Sequence, residues 1–167
     1  MSSDEREILT WSTFGDATRD LASAVVASGF RPDVVLAIAR GGLTVAGAMA
    51  YALDLKNCFT VNVEYYTGID QRLELPVLLP PVPDPLGLHD LKVLVVDDVA
   101  DTGHTLAMVH DFCSGHVAEV RSAVLYEKPR SAIHPEYVWK RTDQWIAFPW
   151  SADGPVPGVA ASGVVDA

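Results

Sequence analysis

The sequence predicts an α/β fold, a mostly parallel twisted sheet flanked by helices, and three observations carry that prediction. Residues 34–39 (VVLAIA) and 93–96 (VLVV) are apolar runs too continuous for strands with one wet face, so they fit strands buried on both faces. Each run passes through a short polar or glycine-containing loop into a stretch with helical composition, the rhythm of parallel sheets. No repeat and no linker interrupts the pattern. Residues 1–167 are therefore expected to form one domain, ordered from about 10 to 150, with a loose acidic start and a loose tail.

The elements follow in order. Residues 1–7 (MSSDERE) lack the basic start and apolar run of a secretory leader, so the chain is expected to stay in the cytoplasm. Leu21, Ala24, Val25 and Ser28 recur at helical spacing and Gly29 closes them, predicting a first helix over 13–28. Pro32 breaks the pattern, and residues 34–39 form the first buried strand, ending in Arg40-Gly41-Gly42. Residues 43–55, rich in Ala, Leu and Met, predict a buried second helix with Met49 and Tyr51 in its packing. Residues 59–63 (FTVNV) alternate as a strand does.

Residues 65–90 hold five prolines and two glycines, which argue against a stable helix. A long irregular segment in a compact domain is often a lid, and the plain alternative is a surface loop or subunit contact. After the central strand, residues 105–114 predict a helix stopped by Gly115. Residues 117–126 predict another strand, ending at Glu127, Lys128 and Pro129. Residues 137–150 hold three of the four tryptophans, and 151–167 is a tail of small residues.

Composition narrows the function. With 49% hydrophobic and 20% charged residues the chain is globular, and its formal charge of −10 argues against non-specific binding to nucleic acid or to anionic membranes. A polyanionic substrate must then be held by local groups. Cys58 and Cys113 make neither a metal spacing nor a disulfide framework and read as reduced thiols. The longest apolar region, 34–55, is broken by Arg40, Gly41 and Gly42 and makes a poor membrane span.

The chemistry concentrates in residues 93–105, VLVVDDVADTGHT. Asp97 and Asp98 stand where a buried strand emerges, and Ala100, Asp101, Thr102, Gly103, His104 and Thr105 have the make-up of a tight turn entering a helix. Such a turn aims backbone N–H groups and hydroxyls at one point, which suits a phosphate. A phosphorylated sugar with bound Mg²⁺ fits an anion cradle beside two carboxylates. A receiver domain also starts with a strand ending in two acids, but it needs roughly another domain length after them, and this stretch lies mid-chain.

The stretch resembles the signature of the type I phosphoribosyltransferases: an apolar strand, two acids and a D-x-G-x-T-like turn. The resemblance implies that Asp97 and Asp98 hold the ribose hydroxyls of phosphoribosyl pyrophosphate (PRPP), with Asp98 also at a Mg²⁺ ion. It implies further that Ala100 through Thr105 hold the 5′-phosphate, and that Asp101 receives or relays a proton from the base. Capping of the following helix is the plain alternative for Asp101. Arg40 and Gly41 would hold the pyrophosphate, as the Arg-Gly-Gly-Leu loop of the xanthine-guanine branch does; otherwise the loop is a turn with a solvated Arg. In that branch a Lys-Pro pair after a strand faces the 6-oxo group of the base, and Lys128-Pro129 stands at its place.

Asp143-Gln144-Trp145-Ile146 with Phe148-Pro149-Trp150 resembles the purine-pocket segment. There an aromatic ring, here Trp145, lies on the base, and a neighbouring carbonyl, here that of Ile146, reads its edge; an aromatic-rich strand can also be core or interface. His104 and Ser151 depart from the branch, where a small residue and an acid stand. The irregular segment would be the hood over PRPP, with Arg72 as its one basic residue before Lys92. The implied partners are PRPP and a purine base in a homo-oligomer, dimer or tetramer. A PRPP-sensing protein without catalysis, or transfer to another nitrogenous acceptor, stays open beside purine transfer.

Overall fold

The computed structural model describes residues 5–66, 75–79 and 85–159. Its elements are β1 (Arg6–Ile8), α1 (Trp11–Ala27), β2 (Val34–Ala39), α2 (Gly41–Ala52), β3 (Cys58–Tyr66) and β4 (Leu75–Leu79). They continue with α3 (Pro85–Leu88), β5 (Lys92–Ala100), α4 (His104–Ser114), β6 (Glu119–Glu127), β7 (Tyr137–Arg141) and β8 (Trp145–Ala147). Six strands form one sheet in the order β4-β3-β2-β5-β6-β7, and β1 pairs with β8 apart from it. Every neighbouring pair in the large sheet is parallel except β3 with β4. The α/β architecture read from the sequence is the one found.

Strand alternation divides the core in two. Val35, Ala37, Leu94 and Val96 pack with Phe14, Leu21 and Val25 of α1 and Val45 and Met49 of α2. Val34, Leu36, Ile38, Val93 and Val95 pack with Leu106, Val109 and Cys113 of α4. Residues 93–96 of β5 are wholly buried, which is why their run shows no polar alternation. Helix α1 starts where Thr10 Oγ1 accepts from the Thr13 N–H at 3.1 Å, and it stops at Gly29, whose φ is +81°.

Several expectations change. Part of the stretch expected to be loose is a strand: β1 runs parallel to β8, and Leu9, just beyond it, is buried, while residues 1–4 lie outside the described residues. A three-residue strand is too short to leave a periodic signature. Tyr51 is 93% exposed rather than packed, because α2 buries Val45, Ala46, Met49 and Ala50, a face that excludes position 51. That helix is apolar all round, so its sequence does not mark its outward side.

Residues 65–90 include the end of β3, all of β4 and the short α3. Pro76 disguised β4, which tolerates a missing N–H because it lies at the sheet edge. Of the expected lid, residues 67–74, with Arg72, and 80–84 lie outside the described residues. Residues 151–159 run exposed through turns. Cys58 is exposed, Cys113 is buried and both are free. Among the described residues no helix is long and apolar enough to cross a membrane.

Gly42 sits where α2 closely approaches the main chain of β5. A Cβ there would lie 2.5 Å from the Val96 carbonyl oxygen and 3.1 Å from Asp97 Cα, main-chain atoms that cannot swing aside. Gly47, in the same helix, has nothing within 4 Å. Gly42→Ala should therefore destabilise by about 1–3 kcal/mol. Gly47→Ala should stabilise by up to about 1 kcal/mol. Urea midpoints of the two variants should move in opposite directions at unchanged slope.

Candidate active site

The carboxyl ends of β2, β5 and β6 meet at one place, and backbone contacts hold them there. The β2 end carries Arg40, exposed and at the N-cap of α2, after a cis Ala39–Arg40 peptide. A Cβ on the next residue, Gly41, would overlap the carboxylate of Asp98, so the proposed pyrophosphate loop lies directly on the proposed ribose acids. No side chain larger than hydrogen fits at 41 while Asp98 keeps its position.

The β5 end turns into α4 through residues 100–103. Gly103 occupies the N-cap with φ +80° and has no side chain of its own to cap the start of α4. That is the arrangement that receives a phosphate. Ala100 is buried, Thr102 and His104 are exposed, and Thr105 is half-buried. Thr102 Oγ1 stands 3.5 Å from the His104 N–H. Asp101 is not the cap: Arg130 grips it with two bonds of 2.7 Å, Nε to Oδ1 and Nη2 to Oδ2.

The loop after β6 is laced to this turn. The Lys128 N–H donates to the Ala100 carbonyl at 2.9 Å, and the Ala132 N–H to that of Thr102 at 2.8 Å. A Cβ on Gly103 would stand 2.5 Å from Ser131 Oγ, so the two loops have no slack between them. The turn at 100–103 and the Lys128 loop form one body.

Charge is concentrated in the acid pair. Burial, then the charge of Asp98, push the Asp97 carboxyl well above the usual carboxylate range. Burial likewise carries Asp98 up to about 6, opposed by hydrogen bonds that include one with the Trp150 side chain. The Asp98 N–H donates to Asp97 Oδ1 at 2.9 Å, tying the pair together. Trp150 is itself held by stacking on Phe148, 4.9 Å between centroids, and by the edge-on ring of Phe14 at 5.4 Å.

On the base side Lys128 is half-buried, and its ammonium donates to the Gln144 carbonyl. Desolvation lowers its pKa, partly offset by the charge of Asp101. Just before it, the buried Glu127 carboxylate accepts from Arg141 Nε at 2.8 Å and lies 2.5 Å from His134 Nδ1, fixing the strand end. Gln144 leads into β8, where Trp145 is 72% exposed and Ile146 is buried. At that exposure the Trp145 indole is not core packing.

Sequence reading brought Arg40, Gly41, Asp97, Asp98, residues 100–105, Lys128, Trp145 and Ile146 to attention. It missed Arg130, Ser131, the hold of the Gln144 carbonyl on Lys128 and the link of Trp150 to Asp98. Arg130 had a local signal, two residues past Lys128 and able to reach back to an acid. The Trp150 bond spans the fold and has none.

The family model for the phosphoribosyl transferase domain matches residues 4–154. A xanthine-guanine phosphoribosyltransferase from Ruegeria sp. (strain TM1040) is 32% identical over 153 residues, 85% of this chain and 83% of the relative. The solved purine phosphoribosyltransferase from Pyrococcus horikoshii Ot3 superposes with a TM-score of 0.78 at 34% identity, covering 93% of this chain and 99% of that one. A hypothetical protein from Neisseria gonorrhoeae with bound ppGpp superposes with a TM-score of 0.76 at 26% identity, covering 89% and 91%. A buried acid pair, an uncapped glycine turn and an Arg-Gly-Gly loop at the strand ends agree with these matches: the chain belongs to the type I phosphoribosyltransferase family, in its purine branch, and is an enzyme of that class.

Proposed function

We propose that the protein transfers the 5-phosphoribosyl group from PRPP to a 6-oxopurine, hypoxanthine, guanine or xanthine, giving the nucleoside 5′-monophosphate and pyrophosphate in purine salvage. One observation carries the reading: the Arg40 loop, the acid pair, the phosphate turn and the Lys128 loop share direct contacts at one end of the sheet. In the reaction a purine ring nitrogen bonds to the anomeric carbon as the bond to pyrophosphate oxygen breaks, the electron pair leaving with the oxygen. The ring-nitrogen proton goes to Asp101, whose carboxylate Arg130 holds in place. Positive charge developing on the sugar is stabilised by Asp97 and Asp98, and the leaving group by Arg40.

The donor set fits Mg²⁺. A hard cation would stabilise the crowded carboxylates of buried Asp97 and half-buried Asp98 as anions, with Asp98 as its protein ligand. No group of three or more ligating side chains gathers among the described residues, so substrate oxygens and water would complete the shell. When bound, the ion neutralises charge on the departing pyrophosphate.

A cytoplasmic setting goes with this reading. So does self-association, supported by the outward apolar residues Leu43 and Tyr51 of α2, 46% and 93% exposed. Light scattering should give a multiple of the 18.0 kDa chain; a monomer at working concentration would remove that part.

The acid pair predicts a conflict between stability and function. Raised native carboxyl pKa values mean that the folded protein binds more protons than the unfolded chain between about pH 4 and 6. Stability of the ligand-free protein should therefore fall as pH rises through that window, by about 3 kcal/mol at most from Asp98 alone. Replacing Asp97 and Asp98 with Asn should abolish turnover yet raise the melting temperature at pH 7. A double variant that binds PRPP normally, or melts lower than wild type, would remove the assignment.

Base choice follows from Lys128. One ammonium hydrogen is committed to Gln144, and those remaining can donate to a 6-oxo oxygen but face a donor in adenine. The mismatch costs about 1–3 kcal/mol, so adenine should be roughly ten- to a hundredfold worse. Lys128→Ala should narrow that gap, while Trp145→Ala should weaken all bases together. Catalytic efficiencies for the four bases test this; an adenine preference in the wild type would sink the purine-pocket reading.

A further inference from the structure

Two of the residues assigned to the purine, Trp145 and Ile146, sit on a strand outside the large sheet. Among the described residues β8 pairs only with β1, in the parallel register Arg6↔Trp145, Glu7↔Ile146 and Ile8↔Ala147. The Leu9 N–H extends the pairing, donating to the Ala147 carbonyl at 3.0 Å. A two-stranded ribbon is marginal alone, so its position must come from side-chain anchors.

Those anchors converge on the N-terminal segment. The carboxylate of Glu7 accepts the Lys140 ammonium at 2.6 Å and the Tyr126 hydroxyl at 3.4 Å, tying β1 to β7 and β6. The side chain is largely enclosed, at 16% exposure. The Gln144 amide donates to Glu5 Oε2 at 3.3 Å, and the carbonyl of the same residue holds the Lys128 ammonium. A continuous set of contacts therefore runs from residues 5–9 to both base-side groups, the Trp145 indole and the Lys128 donor. No contact described for residues 5–8 reaches Arg40, Asp97, Asp98 or residues 100–105.

We propose that β1 is a positioning element of the purine site, with Glu7 as its principal anchor, so that base affinity and 6-oxo selectivity depend on the N-terminal strand while PRPP binding does not. The inference rests on the purine reading above. Glu7 touches no reacting atom; it acts by fixing the β1–β8 ribbon against β6 and β7.

The test compares Glu7→Ala and Glu7→Gln with wild type in steady-state kinetics, varying hypoxanthine, adenine and PRPP in turn, with circular dichroism as the fold control. Glu7→Ala should raise the KM for hypoxanthine roughly tenfold, the scale of one misplaced hydrogen bond, and reduce discrimination against adenine by a similar factor. The KM for PRPP should stay within about twofold, as expected for a group that touches only the other substrate's side. Glu7→Gln keeps an acceptor for Lys140 and Tyr126 and should recover most of the loss. Wild-type base kinetics in a folded Glu7→Ala, an equal rise in the KM for PRPP, or loss of fold in both Glu7→Ala and Glu7→Gln would each overturn the inference alone. A wild-type protein that forms no nucleotide from any 6-oxopurine would overturn the parent reading with it.

Discussion

Two carboxylates forced together at the buried end of β5 set the terms for everything around them. Neither burial nor proximity favours their ionised forms, and the surroundings answer with a backbone N–H, an indole N–H and glycines that leave no atoms between α2 and the pair. The sheet is organised to hold this unfavourable arrangement. Wholly apolar β2 and the apolar run 93–96 of β5, flanked by α1, α2 and α4, supply the packing that a crowded acid pair subtracts. A ligand that brings a cation and hydroxyl groups to the pair completes what the protein alone leaves uncompensated.

The loops around the pair behave as a unit because their contacts are main-chain contacts. Lys128 and Ala132 donate to the carbonyls of Ala100 and Thr102, while Arg130 and Asp101 close the same seam through side chains. The exposed ion pair adds little stability of its own. Its geometric effect is larger, since a bidentate fork fixes the plane of the Asp101 carboxylate against the base loop.

The legible parts of the molecule were those whose physics is local. Continuous apolar runs disclosed β2 and β5, and small polar residues around Gly103 disclosed the turn, because burial and backbone freedom leave their mark within a few residues. Strand β1 was hidden by its brevity and β4 by Pro76, whose cost vanishes at an edge. Arg40, Asp97, Asp98 and Lys128 were visible because each ends a recognisable strand. The bond from Trp150 to Asp98 and the anchoring of Gln144 by Glu5 and Lys128 were not, since each joins segments that only the folded chain brings together.

The sheet has two ends with different chemistry, and the thiols fall usefully with respect to them. Cys58 opens β3 beside Val35, the amino end of the parallel strands, while every proposed substrate contact on β2, β5 and β6 gathers at their carboxyl ends. Cys113 is shut inside the α4 layer, and burial pushes its thiol up to about 11, where little thiolate exists at neutral pH. A maleimide dye would thus find a single reactive handle in the native chain, on the opposite side of the sheet from the chemistry. Immobilisation or fluorescence labelling could proceed there without engineering and without obstructing the substrate entrance.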